Sequence, residues 1–237
     1  MQTVSDNYNT IIAGDHRFET LIRFHTPSGN KIVYEGGIIS VSRTQALFSE
    51  NRPMVGCACV GECELTIYKP SFIIPRMGSF DLRIRAKSET ATSGWFSQGT
   101  FFVDTREKGN LGQDETLTIH AYDAMAKAAQ NYPAVSHAWP ANVWRVVRDI
   151  ATAMGVSIDP RTRDILEGET AAVIPLPSGY SCSEILKAIG TMYMANWYMT
   201  SDGNLRMVGL NDLPREARYL VDENGNRITF GGTRILV

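Results

Sequence analysis

The chain has 237 residues, of which 43% are hydrophobic and 20% charged, with a formal net charge of −2. These values describe an ordinary globular protein, long enough for about two domains that each bury a core without metal or disulfide support. The near balance of 23 basic and 25 acidic residues offers no electrostatic footprint for nucleic acid, and there is no run of like charge. The N-terminal stretch lacks a basic patch followed by an apolar run, so it does not read as a secretory signal. The most apolar window, Ile185 to Met199, is broken by Lys187 and falls short of the roughly 18 residues a membrane span needs.

From the start to about Ile119 the pattern is that of strands. Phe18 to Phe24, Lys31 to Tyr34 and Ile38 to Ser42 are short β-branched or aromatic runs, separated by the turn material Thr26-Pro27-Ser28-Gly29-Asn30 and Gly36-Gly37. Cys57 to Tyr68 reads as one long strand. Phe80 to Arg85 alternates strictly, and Gly99 to Val103 and Leu117 to His120 complete six or seven strands at the spacing of a barrel or sandwich.

From Ala121 the period becomes helical. Asp123 to Gln130 predicts a short helix. Asn142 to Met154 carries Val143, Val146, Val147, Ile150 and Met154 on one stripe, with Pro140 before it and Gly155 after it as start and stop signals. Ser181-Cys182-Ser183-Glu184 is a capping box that opens another helix, with Ile185, Leu186, Ile189 and Tyr193 as its apolar face. Trp197 to Thr200 and Leu205 to Val208 flank Ser201-Asp202-Gly203-Asn204, a hairpin signal. Near the end, Asn224-Gly225-Asn226 predicts a turn, and Ile228 to Phe230 with Arg234 to Val237 read as strands of a further domain that begins here, or of a small terminal ribbon.

Chemistry-bearing residues are scattered. Cys57, Cys59 and Cys63 share parity with Leu65 and Ile67, so a strand points all three into one core, where cysteine behaves as a small hydrophobe. A tetrahedral zinc site takes four ligands on paired knuckles, and Cys182 lies in the other half of the chain. The histidines His16, His25, His120 and His137 have no helical i, i+4 partner, and no Gly-x-Ser-x-Gly elbow is present. Asp104, Asp123, Asp159 and Asp164 could supply a carboxylate pair for glycoside hydrolysis, yet such pairs can be picked from any chain of this size. There is no phosphate-cradling glycine loop; Gly36-Gly37 and Gly231-Gly232 read as strand ends or bends. Met192, Tyr193, Met194, Trp197, Tyr198 and Met199 are either core around a helix–hairpin junction or part of a ligand groove or partner surface. No catalytic, cofactor-binding or metal-ligating residue is assigned, and no cofactor is expected.

Several strings carry a resemblance when taken in order. They are Ala46-Leu47-Phe48-Ser49-Glu50-Asn51-Arg52-Pro53, Glu64 to Pro70, Ile74-Pro75-Arg76-Met77, Trp95 to Arg106 and His120 to Met125. Tyr132-Pro133, Trp139-Pro140, Gly155 to Arg161 and Ile174 to Tyr180 continue the series. Together they resemble the tail-tip or baseplate hub proteins of phages and prophages of Gram-positive bacteria, from about Asn9 to Val237. The resemblance implies an α+β fold: a tail-tube-like antiparallel β-barrel over 1–118, an inserted α+β domain over 119–210, and a terminal ribbon or the first strands of a second barrel over 211–237. It implies a non-enzymatic virion component, made in the bacterial host cytoplasm, that joins the six-fold tail tube to the three-fold tip. The implied partners are further copies in a homotrimer, distal tail or tail-tube proteins, the tape-measure protein, and spike or receptor-binding proteins. Sequence-specific nucleic-acid binding and a membrane span are not implied. A tail-associated cell-wall hydrolase, or a tail-tube or distal-tail ring protein, is the alternative. The cysteines around Cys57 to Cys63 depart from the family's pattern.

Overall fold

A computed structural model of the chain describes residues 6–26, 29–49, 53–74, 78–167 and 172–209, together with 229–230 and 233–234. A short helix α1 (Asp6–Ile12) precedes seven strands: β1 (Arg17–His25), β2 (Lys31–Tyr34), β3 (Ile38–Thr44), β4 (Glu62–Tyr68), β5 (Ser79–Lys87), β6 (Phe96–Leu111) and β7 (Asp114–Tyr122). They form one antiparallel sheet in the order β2-β1-β5-β6-β7-β4-β3. The edge strands β2 and β3 are joined by three residues only, Glu35 to Gly37, so the sheet must curl until its two edges approach. Tyr34 of β2 reaches past β3 to the end of β4, where its hydroxyl donates to the carbonyl of Tyr68 at 2.8 Å. The edges do not pair with each other, so the β-barrel expected from the sequence is a curled sheet that is not closed.

Inside the curl, Ile22, Phe24, Cys63, Leu65, Ile67, Phe80, Leu82, Phe101 and Ile119 are all at most 2% exposed and form one core. Phe80 stands 5.6 Å from Phe24 and 5.8 Å from Phe101, centroid to centroid, in tilted arrangements that suit the ring quadrupoles. The strict alternation expected for Phe80 to Arg85 breaks at Asp81, which is buried on the opposite face by its own polar partners. Beyond Val103, β6 shifts register by a bulge at Asp104 and continues with β7 as an exposed two-stranded arm to Leu111.

The second core begins where β7 ends. Asp123 caps a 3-10 helix, Ala124–Ala129, by accepting the amide of Met125 at 2.9 Å. After the two-residue strand β8 (Ala141–Asn142), helix α2 (Val143–Met154) starts at the Asn142 cap and stops at Gly155 in the left-handed conformation. All five residues of its predicted stripe are at most 1% exposed. The two-residue strand β9 (Ser157–Ile158), helix α3 (Pro160–Glu167) and strand β10 (Val173–Ile174) follow. The Ser181 capping box opens α4 (Cys182–Met192), and the hairpin β11 (Ala195–Met199) and β12 (Asn204–Gly209) closes the unit. β12 pairs parallel with β9, so β11-β12-β9 is a small mixed sheet against which α2 and α4 pack. Beyond it, β13 (Thr229–Phe230) pairs with β14 (Thr233–Arg234); the predicted turn at 224–226 lies outside the described residues.

One predicted element is corrected. Cys57 to Tyr68 is not a single strand. β4 starts at Glu62, and only Cys63 shares the barrel core with Leu65 and Ile67. Cys57 and Cys59 lie on a segment that runs parallel beside β11: Trp197 N–H donates to Cys57 O at 2.8 Å, and Cys59 N–H donates to Trp197 O at 3.1 Å. Gly61 lies between the two segments. A Cβ there would stand 2.5 Å from Asp123 Oδ2, so the carboxylate can come this close to the chain only at the residue with no side chain.

Candidate functional site

The densest polar chemistry lies at three places. The first is the junction of the two cores. Asn196, fully buried on β11, accepts from the Cys57 amide at 2.8 Å and donates to the carbonyl of Met54 at 2.7 Å, so one side chain ties the 54–59 segment to the second core. Asp123, 5% exposed, stands beside it, and its amide donates to Gly61 O at 2.8 Å. Burial pushes its carboxyl up to about 6, against the opposing pull of the Met125 and Gly61 amides and of Arg43. The Gln45 amide lies near Oδ2 and favours its charge, but falls outside hydrogen-bond geometry; Oδ2 has no hydrogen-bond partner among the described residues. Arg43 reaches Gln98 at 3.1 Å and Gln45 at 2.6 Å, and with Lys127, whose ammonium lies 3.8 Å from the Phe102 ring centroid, it lines a cavity of about 190 Å³.

The second place is the outer face of β1, β2 and β5. Asp81 Oδ2 meets Lys31 Nζ at 2.8 Å and His25 Nε2 at 3.1 Å, while Thr100 donates to Oδ1 at 2.9 Å. Burial opposes the charge of Asp81, but these partners outweigh it and hold its carboxyl below the usual range. His25 Nδ1 lies 3.0 Å from Ser79 Oγ, which puts hydroxyl, imidazole and carboxylate in one row. That order resembles an activated serine. However, the His25–Asp81 contact lacks hydrogen-bond geometry, and Lys31 and Thr100 occupy the carboxylate, so the row acts as a cross-strand salt cluster. Sequence reasoning considered His25 alone; the register His25↔Ser79 that assembles the row is a long-range fact.

The third place is a clamp on α2. Asp149 accepts from Tyr132 at 2.7 Å and meets His137 Nε2 at 2.8 Å, while the His137 ring packs 4.8 Å from Trp139. It fastens the 131–140 connection down.

The other residues considered from sequence are dispersed. Asp104 is exposed on the bulge, and Asp159 is spent on Arg161, with contacts of 2.8 and 2.6 Å, and on the start of α3, whose exposed face carries Asp164. His16 and His120 are partnered locally, to Gly14 O and to Glu64. All four cysteines are buried and unbridged. Burial pushes the thiols of Cys59 to about 11 and of Cys63 to about 12 and raises that of Cys182, so at neutral pH these three are thiols rather than nucleophilic thiolates. Among the described residues no group of three metal-capable side chains comes together, and no helix is long and apolar enough to cross a membrane. The aromatic and methionine run divides. Trp197 and Met199 are core, whereas Met192 and Met194 are more than half exposed. Met192 borders an apolar groove of about 520 Å³ that is also lined by Ile174, Pro175, Leu176, Tyr180 and Ile185.

No family model matches the sequence, and no curated protein does. The fold has counterparts among solved structures. The 43 kDa tail protein of prophage MuSo2 from Shewanella oneidensis aligns over 81% of this chain and 53% of its own, with a TM-score of 0.51 and 14% identity. A tail protein from Neisseria meningitidis aligns over 80% of this chain and 50% of its own (TM-score 0.49, 11% identity). The prophage tail protein gp18 of Listeria monocytogenes aligns over 88% and 64% (TM-score 0.45, 9% identity). At the level of fold, then, the chain is similar to the tail protein of prophage MuSo2, and it spans about half the length of that protein.

Proposed function

We propose that the chain is a non-enzymatic structural component of a phage or prophage tail, a hub subunit that joins the six-fold tube to the three-fold tip. The observation that carries this reading is the shared fold: a curled antiparallel sheet followed by a helical unit, superposable on a prophage tail protein over 81% of the chain. The hub-like string of sequence motifs supports the finer assignment. In this reading 1–118 is the tube-like unit, 119–210 the inserted α+β unit and 211–237 a ribbon or the opening of a second barrel. The partners are two further copies, distal tail or tail-tube proteins, the tape-measure protein, and spike or receptor-binding proteins. Of the residues that the hydrolase alternative would draw on, Asp159 is taken up by Arg161, and burial holds Cys59, Cys63 and Cys182 as thiols at neutral pH.

A reconstruction of intact tails tests the assignment. Density for this chain is expected at the three-fold tip; density in a six-fold tube ring or a peripheral fibre would reject it. Zymography on bacterial cell walls tests the enzymatic alternative, and a clearing zone from the purified chain would restore it.

A further inference from the structure

The curled sheet has a seam. β2 pairs only with Ile22 to His25 of β1, after which the chain leaves at Glu35 and joins β4 as β3. Arg17 to Leu21 therefore has β5 on one side and, among the described residues, no strand on the other. β3 likewise has β4 on one side only.

The direction of the backbone groups follows from one hydrogen bond. Thr26 N–H donates to Asn30 O at 2.9 Å, so Thr26 turns its backbone towards β2. In an antiparallel strand the two backbone groups of a residue point to the same side, and that side alternates along the chain. Phe24 and Ile22 therefore face β2, and Thr20 and Phe18 face the seam with two N–H and two C=O groups for which the described residues provide no partner. Such an edge is a template for another strand.

The side chains agree. Phe18 shares a face with Ile22 and Phe24, which are 0% and 2% exposed in the barrel core, yet Phe18 itself is 53% exposed. An inward-facing aromatic is thus left uncovered where the wall is open. Ile39, 37% exposed, stands on the facing lip. An opening of about 560 Å³ runs between Phe18 and Thr20 on one side and Ile38, Ser40 and Val41 on the other. Glu35 lies at its rim, exposed and, among the described residues, without an ion pair, whereas Glu19 is already met by Arg85 at 2.7 Å.

We propose that this seam is a strand-acceptor site, which takes up an extended segment of another polypeptide with apolar residues at alternate positions and a basic residue beside Glu35. Both lips belong to one chain and line one opening, with Phe18 and Thr20 on one side and Ile38, Ser40 and Val41 on the other, so one extended segment lying between them meets both. Backbone hydrogen bonds to Phe18 and Thr20 supply the affinity, and contact with Phe18 and Ile39 supplies the preference for apolar side chains. The inserted segment completes the barrel. The inference does not depend on the tail assignment.

Amide hydrogen exchange on the full chain tests it, with a short synthetic peptide of alternating valine and lysine as the probe. In the free chain the Phe18 and Thr20 amides should exchange fast, while Ile22 and Phe24, on the same edge but paired with β2, should be protected. The peptide should slow Phe18 and Thr20, and a version N-methylated at alternate residues should not. Phe18→Ala should weaken peptide binding about tenfold through loss of an aromatic anchor. Glu35→Gln should weaken the lysine peptide but not one with threonine in place of lysine. Protection of Phe18 and Thr20 in the free chain would show that the chain fills its own seam. Unslowed amides at millimolar peptide, or equal effects of the N-methylated peptide, would show that the seam accepts no strand. Any of these results overturns the proposal.

Discussion

Asp123 holds three roles at once. It caps the 3-10 helix, comes close to the chain at Gly61 and carries a carboxyl whose protonation midpoint lies near 6 because it is buried. A folded-state value above the ordinary 3.8 means that the folded chain binds this proton more tightly than the unfolded one. The cost of burying the charge is therefore fully present above pH 6 and fades as pH falls towards 4. Asp123→Asn keeps an acceptor for the Met125 amide and removes the charge. Its stability relative to the native chain should rise by roughly 2–3 kcal/mol between pH 4 and pH 7.5. The difference between the two proteins is the readout, because Asp81 and Asp159, held below their usual range, lose stabilisation in acid and move the total the other way. Urea titrations at both pH values giving the same difference would refute the role of burial. Cys63 is the simpler case: it is 2% exposed among Leu65, Ile67 and Ile119, and Cys63→Ser places a hydroxyl there. A loss of about 1–3 kcal/mol in the urea midpoint analysis is expected. The parity argument is right that Cys57, Cys59 and Cys63 are all buried, and the alternation runs on through Gly61, but parity cannot tell which neighbours bury them: Cys57 and Cys59 lie beside β11 and not in the core of Leu65 and Ile67.

At the scale of elements, legibility follows the strength of local chemistry. α2 carries a cap, a five-residue stripe and a stop glycine, and each is realised as read. The α4 capping box forms in full, with Ser181 accepting the Glu184 amide and Glu184 accepting the Ser181 amide. α3 was not legible. Its signal was the pair Asp159-Pro160, a cap followed by proline at the first helical position, but the eight residues offer little apolar periodicity. What fixes α3 is tertiary: Thr162, fully buried, accepts the Met207 amide of β12 at 2.9 Å. The β6–β7 arm was missed for a related reason. Asp104 to Asn110 has the polarity of a loop, and only its ladder with β7 makes it a strand. For α2 the test is direct. Val147 is fully buried in the core it shares with Leu186 and Trp197, so Val147→Ala should cost roughly 1–3 kcal/mol with the denaturant slope unchanged. A loss within the error of the titration would mean that the stripe does not hold the unit together.

For the whole molecule, the change from strand period to helical period near residue 120 marks a real change of core, from the curled sheet to the helices and small sheet. Two features were beyond local reading. Whether the sheet closes depends on how far β2 covers β1, a matter of ladder length between strands rather than of pattern within one. The capture of the 54–59 segment by β11 joins residues 139 positions apart, at Cys57 and Asn196, and no period records it. Assembly is the property at this scale that follows from the hub reading. A pseudo-six-fold ring built from three chains needs two tube-like units per chain, and the described residues contain one seven-stranded sheet. Half the ring positions would then be empty, and each sheet would lack the neighbour that covers its edge. β2, the edge on one side, is only four residues long and begins with Lys31, which limits pairing between free copies. The isolated chain is therefore expected to run as a monomer in mass photometry at nanomolar concentration, and to appear as three copies only within an assembled tip. A stable particle of three chain masses at that concentration would show that one tube-like unit per chain suffices to close a ring, and the pseudo-six-fold arrangement would have to be given up.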